Sequence, residues 1–328
     1  MAVSDSIIVS KSLTTISLER LRTGDAVEGK KLLSACQSQG FFYLDLSSDL
    51  ELCAQWEGML GRMKDYFDQP LDVKLQDVRN SHNYGYIPVG TEEGFKPEIK
   101  DGYETIKLSR REYLKGSADL TSPSRLQPDY FFAYIKRAHA ITRLILERLS
   151  SELNLTDEAR FETNHEDSKP SLCTLILLHY PKNNDTTAPT NVGHLKHTDI
   201  GSITLVLSQQ WGLQFLSPTT KQWEFLEPRP KHAIVNVGDF LRFLSGGKLA
   251  SIVHRVVPLA GRQTEDRYSI AYFLRMHDDA QFTDFDGKTW TAKEWHDTKY
   301  DVFKSPSTLD VKGQFLTAKI EEGQKVAV

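Results

Sequence analysis

The chain has 328 residues, 39% of them hydrophobic and 26% charged, with a net charge of −4. That length holds one large domain or two ordinary ones with ample core, and the interspersed charge argues against nucleic acid or an anionic membrane as a partner. Three cysteines without metal-type spacing (Cys36, Cys53, Cys173), no basic-then-apolar start and no apolar run of spanning length lead us to expect a reduced, cytoplasmic setting.

Residues 15–45 read as strand, helix, strand. Asp25 is placed to cap a helix through Gln39 that buries Val27, Leu32, Leu33 and Cys36, with Gly40 taking the left-handed position at its end. Phe41-Phe42-Tyr43-Leu44 makes a buried strand. Asp49 caps a second helix, with Leu52, Trp56, Met59, Met63 and Phe67 at three- and four-residue spacing, stopped by Pro70. Residues 80–115 lack strong periodicity, are polar from Glu92 to Gly102, and read as a long surface loop.

The spacing predicts a scaffold helix over 128–153, where Ile135, Ala138, Ile141, Leu144, Ile145, Leu149 and Leu153 share one face. From residue 171 the signal changes to short strands punctuated by turns at 181–187, 217–220, 228–230 and 246–247. A mostly β fold with flanking α helices is expected, its core a double-stranded β-helix (jelly roll) of about eight strands over 170–280. Residues 281–328 hold an Asp/Gly turn at 284–287 and then a polar, mixed-charge, partly helical tail.

The chemistry gathers around Gly193-His194-Leu195-Lys196-His197-Thr198-Asp199. His197 and Asp199 sit two apart, so on an extended strand both side chains leave one face. His254, in the apolar run 251–257, is the third ligand of choice. Two imidazoles and a carboxylate on one side of an ion form the facial triad of non-haem Fe(II) oxygenases, with positions left open for cosubstrate and O2. The plainer alternative is a His–Asp hydrogen bond and a core histidine. His194 is a rival ligand, and His82, His139, His165, His179, His232 and His277 read as structural or surface residues.

A strand over 267–276 supplies a second constellation. Alternation puts Arg267, Ser269, Ala271, Phe273 and Arg275 on one face, and Tyr268, Ile270, Tyr272 and Leu274 on the other. A guanidinium fork with a serine hydroxyl suits a dicarboxylate such as 2-oxoglutarate, held while its other end meets a metal.

In order and spacing, five pieces resemble the 2-oxoglutarate/Fe(II)-dependent dioxygenase family of the isopenicillin N synthase-like, plant and fungal type. They are His197-Thr198-Asp199; Thr204-Leu205 with Gly212-Leu213-Gln214; residues 235–239; residues 251–257; and Arg267 with Ser269. The resemblance implies a helix-rich N-terminal region over 1–120 and a jelly-roll catalytic region over 121–328, together one structural unit. It implies Fe(II) held by His197, Asp199 and His254, with 2-oxoglutarate held by Arg267 and Ser269. Tyr180 would add a hydrogen bond to the cosubstrate. Two residues earlier many relatives carry asparagine, and this chain has Leu178.

Substrate contacts are expected beyond the cosubstrate arginine, with Phe273 stacking on a planar substrate and Arg275 pairing with an oxygen group on it. Leu213 and Phe215 would complete an apolar wall. The implied reaction oxidises a small secondary metabolite and releases succinate and CO2. Rival readings are a same-fold oxidase that spares 2-oxoglutarate, a zinc hydrolase on the same ligands and a non-catalytic binding jelly roll.

Overall fold

A computed structural model describes residues 8–10, 13–91, 100–116, 119–182, 193–259, 263–304, 316–318 and 320. The expectations for residues 1–7, for 92–99 of the loop, for most of the 181–187 turn and for most of the tail beyond 304 fall outside the described residues.

The chain opens with β1 (Thr15–Ser17), α1 (Leu18–Arg22), α2 (Ala26–Ser38), β2 (Phe41–Asp45), α3 (Leu50–Phe67) and α4 (Leu71–Lys74). Asp25 caps α2 through hydrogen bonds from the Val27 and Glu28 amides, and Asp49 caps α3 through the Leu52 amide. Gly40 has φ +62°, and a Cβ there would lie 2.1 Å from the Ala250 carbonyl, so glycine is required where α2 turns into β2. Val27 corrects its expectation: it is 67% exposed. Glu28 goes inward in its place, accepting from the Ser17 amide at 2.7 Å, so a paired carboxylate occupies a position that apolar spacing assigned to valine.

Residues 80–115 also correct the sequence reading. They contain β3 (Gly85–Ile87) and β4 (Glu104–Ser109), and every residue of β4 is buried. Its charges are satisfied across the fold: Glu104 accepts from Lys74 at 2.7 Å and is 2.8 Å from His179 Nδ1. Partners 30 and 75 residues away leave no local apolar alternation to read. After α5 (Arg110–Leu114) and α6 (Ser122–Leu126), Pro128 starts α7 (Pro128–Glu152), the expected scaffold helix.

Among the described residues eight strands then fall within 170–280, as expected: β5 (Thr174–Tyr180), β6 (His194–His197), β7 (Ile203–Leu207), β8 (Leu213–Leu216), β9 (Trp223–Phe225), β10 (His232–Val237), β11 (His254–Val256) and β12 (Arg267–Leu274), with α8 (Asp239–Leu244) after β10. A hairpin, β13 (Gln281–Thr283) and β14 (Thr289–Thr291), leads into α9 (Ala292–Lys304). The major sheet runs β1-β2-β10-β7-β12-β5-β4-β3 and the minor sheet β6-β11-β8-β9. Together they form the jelly-roll core, with the N-terminal strands on both flanks of the major sheet.

The major sheet buries its outer face under helices. Ile270, Tyr272 and Leu274 of β12 join Ile135, Ala138, Ile141 and Leu149 of α7 in one apolar cluster, with Tyr268 packed against it. The opposite face of β12 is thereby turned towards the minor sheet. The alternation read from the sequence is the one the fold uses.

Candidate active site

His197 ends β6 and His254 begins β11, and the two are register partners across the minor sheet. Their ring centroids lie 4.3 Å apart. Asp199 sits just past the strand, held by the Asp239 amide, which donates to its backbone carbonyl at 2.8 Å. This brings Asp199 Oδ1 to 3.5 Å from His197 Nε2 and 3.6 Å from His254 Nε2. One ligand atom from each residue lies within 4.8 Å of the others, a spacing that fits one shared cation at about 2 Å from each donor.

The atoms facing away from that centre are engaged. His197 Nδ1 lies 2.7 Å from the Leu195 carbonyl and His254 Nδ1 3.1 Å from the Ile252 carbonyl. A carbonyl only accepts, so each Nδ1 carries the proton and each Nε2 offers a lone pair to the centre. Asp199 Oδ2 accepts from Thr204 Oγ1 at 2.6 Å and Asn236 Nδ2 at 2.7 Å, which frees Oδ1. Burial alone would raise Asp199; His254 and His197 outweigh it and hold the carboxyl well below its ordinary range.

Thr204 and Asn236 have a testable consequence. Thr204→Val or Asn236→Leu should weaken Fe(II) binding by about 10–100-fold, the usual effect of losing a group that orients a metal ligand. Anaerobic equilibrium dialysis measures it; wild-type affinity in both variants would show that Asp199 needs no orienting partner. Their signal in the sequence is a single polar residue on the inward side of an apolar strand, in Ile203-Thr204-Leu205 and Val235-Asn236-Val237.

A buried ion pair backs the centre. Lys299 of α9 has no exposed side-chain surface, and neither has its partner Asp239. Lys299 Nζ donates to the Thr198 carbonyl and hydroxyl, both at 2.8 Å, and to Asp239 Oδ2. The residue between two metal-site ligands is thus tied to α9.

The cavity at the centre lies between the two sheets. His194 is outside the three-atom group: its ring stacks on His197 at 4.4 Å and on Tyr103 at 5.0 Å. Arg267 and Ser269 line the opposite wall. Arg267 Nε donates to the Trp211 carbonyl at 2.8 Å, while Arg267 Nη1 and Ser269 Oγ are buried without a hydrogen-bond partner. Gly212 makes the approach possible, because at φ +138° its Cβ would stand 2.8 Å from Arg267 Nε. Unpartnered buried donors on a cationic group are what an anion satisfies. Donor set and orphaned atoms therefore both fit the iron and dicarboxylate that the sequence suggests.

Tyr180, 1% exposed, lines the same wall with Arg267 Cζ 4.9 Å from its ring centroid. Leu178 lines it too and offers no hydrogen-bonding atom. Leu213 and Phe273 face the cavity. Phe215 does not line it: it packs at 5.5 Å on Phe41, which takes the wall position in its place, so the apolar contact expected of Phe215 passes to a residue of β2. Arg275 is buried at 5% exposure on the cavity wall, not splayed at a strand end. Its guanidinium is pulled by burial down to about 10, against the opposing pull of Cys173, Asp199 and Tyr272.

Sequence reasoning missed Lys107, Tyr103 and Thr105 as individual wall residues, all contributed by the segment read as a loop, and Tyr300 from α9. Lys107 Nζ donates to the His82 carbonyl at 3.1 Å and lies 4.2 Å from the Tyr300 ring centroid. No helix among the described residues is long and apolar enough to cross a membrane.

Comparison with known proteins agrees with this geometry. Residues 171–276 match the 2OG-Fe(II) oxygenase superfamily, and residues 13–126 match the non-haem dioxygenase in morphine synthesis N-terminal family. The chain is 46% identical to 2-oxoglutarate-dependent dioxygenase frbH of Dothideomycetidae sp., over 94% of this chain and 96% of the relative. It is 43% identical to 2-oxoglutarate-dependent dioxygenase gloE of Glarea lozoyensis, over 96% and 95%. The fold resembles the crystal structure of a full-length Neurospora crassa protein in complex with alpha-KG, with a TM-score of 0.71 and 22% identity over 92% of this chain and 98% of that one. It also resembles dioxygenase for auxin oxidation in rice, with a TM-score of 0.68 and 23% identity over 91% and 98%. A centre of two imidazoles and one carboxylate, joined to these relatives along nearly its whole length, means that the chain belongs to the 2OG-Fe(II) oxygenase superfamily and is a non-haem dioxygenase using Fe(II), 2-oxoglutarate and O2.

Proposed function

We propose that this dioxygenase oxidises a small, aromatic or oxygenated secondary metabolite, by hydroxylation, desaturation or ring rearrangement. His197, Asp199 and His254 hold Fe(II), and Arg267 with Ser269 holds the far carboxylate of 2-oxoglutarate, beside the Tyr180 hydroxyl. When bound, iron and 2-oxoglutarate supply the oxidising power, and the cosubstrate leaves as succinate and CO2. The chain's own residues do the placing: β6 and β11 set two imidazoles, Thr204 and Asn236 aim the carboxylate, and Leu213, Phe41 and Phe273 keep water from the substrate side. Residues 1–120 and 121–328 are read as one unit, which the passage of the major sheet through both supports.

The observation that carries this reading is the pair of orphaned buried donors, Arg267 Nη1 and Ser269 Oγ, on the wall facing the three ligands. Arg267→Gln should raise the KM for 2-oxoglutarate by about a hundredfold, as expected when one partner of a buried charge pair is truncated, while iron affinity stays at the wild-type level. Succinate release, measured with a panel of aromatic metabolites, checks it. Substrate oxidation without stoichiometric succinate would replace this reading with that of an oxidase that spares 2-oxoglutarate.

A further inference from the structure

Arg267 opens β12 and Arg275 directly follows its last residue, eight positions on, and both line the cavity. Only the first is used by the cosubstrate reading. The second is buried and cationic. Its Nη1 donates to the Leu172 carbonyl, its Nε is buried without a partner, and no carboxylate among the described residues pairs with it. Nη1 is thus spent on the backbone, while the Nε–Nη2 edge, the side-on fork that receives a carboxylate through two parallel hydrogen bonds, has no acceptor among the described residues.

The surroundings strengthen the point. Arg275 Cζ lies 5.2 Å from the Phe273 ring centroid, so a flat apolar surface adjoins the fork. Lys107 adds a further cation to the wall: it pairs in register with Ile176, which pairs with Ala271, midway between the two arginines. Among the described wall residues Lys107, Arg267 and Arg275 are cationic, whereas the one carboxylate, Asp199, belongs to the metal site. A dianionic cosubstrate accounts for Arg267 and the metal's charge. It leaves a buried guanidinium uncompensated, which is costly unless a ligand neutralises it.

We propose that the substrate is a carboxylic acid, whose carboxylate docks on the Nε–Nη2 edge of Arg275 while its apolar body lies over Phe273. The proposal rests on the dioxygenase reading above and narrows it to one chemical class. Arg275 is a specificity residue that discriminates an acid from its neutral amide, since an amide can accept from the fork but brings no charge to a buried cation.

The test uses the full chain with Mn(II) and saturating 2-oxoglutarate, so that binding is read without turnover. Acetate, hexanoate, benzoate and phenylacetate are each compared with their amides by thermal shift and by titration. At least one acid should stabilise the wild type while its amide does not. Arg275→Gln should lose that affinity at least tenfold, and Arg275→Lys, which keeps the charge but not the fork, should fall between the two. Stabilisation by 2-oxoglutarate alone must survive in both variants, which shows that they are folded. Equal binding of acid and amide, an acid response unchanged in Arg275→Gln, or no acid response in the wild type would overturn the proposal. Failure of 2-oxoglutarate itself to stabilise the wild type would instead overturn the cosubstrate assignment on which it rests.

Discussion

Asp199→Ala should yield a folded protein with no turnover and with Fe(II) affinity reduced on the order of a thousandfold, the scale of removing one partner from a buried charge cluster. The expectation follows from geometry. Asp199 Oδ1 is the one carboxylate oxygen facing both histidine Nε2 atoms, at 3.5 and 3.6 Å. It is also the one carboxylate on the described cavity wall, so no neighbour substitutes for it. The substitution leaves the Thr204 and Asn236 donors without their acceptor as well, which lowers the melting temperature of the metal-free protein. Iron retention after anaerobic desalting, read beside circular dichroism, separates loss of the centre from loss of the fold. Wild-type iron content in Asp199→Ala would place the metal elsewhere.

The second large effect is one of stability and originates in α9. Lys299→Met removes the cation from a pair with no exposed side-chain surface on either partner and leaves Asp239 charged and buried. Such a break costs about 3–5 kcal/mol, a fall in melting temperature on the order of 10 °C for a chain of this size. Adding Asp239→Asn to Lys299→Met should recover a good part of the loss, because the stranded charge is then gone. Equal destabilisation in the single and double variants would show that the penalty comes from the shape of the lysine stem. Because Lys299 also binds the carbonyl and hydroxyl of Thr198, iron affinity should fall together with stability.

Local patterns carried much of this architecture. The period-two pattern of β12 foretold which of its side chains enter the cavity and which join α7, because each face meets one kind of environment. The long face of α7 was legible for the same reason. What failed depended on distant partners. Glu104 and Lys107 look like loop residues until Lys74, His179 and His82 are brought beside them. Val27 and Glu28 exchanged places because the Ser17 amide, eleven residues away, supplies what a buried carboxylate needs. At the site, the three ligands were visible through their spacing. Phe215 was misplaced because nothing local reveals that Phe41, on a strand 174 residues earlier, packs against it and supplies the aromatic ring of that wall. The backbone carbonyls that set the two imidazoles belong to residues whose side chains give no hint of the task.

The order of strands in the major sheet bears on how the chain is made. Of its described strands β12 is the last to leave the ribosome, yet it is inserted between β5 and β7 rather than added at a border. Until residue 274 has emerged, both neighbours present unsatisfied backbone along a hydrophobic margin, the kind of surface that recruits other nascent chains. Termination before β12 therefore costs more than a missing arginine: it leaves an open seam through the middle of the sheet.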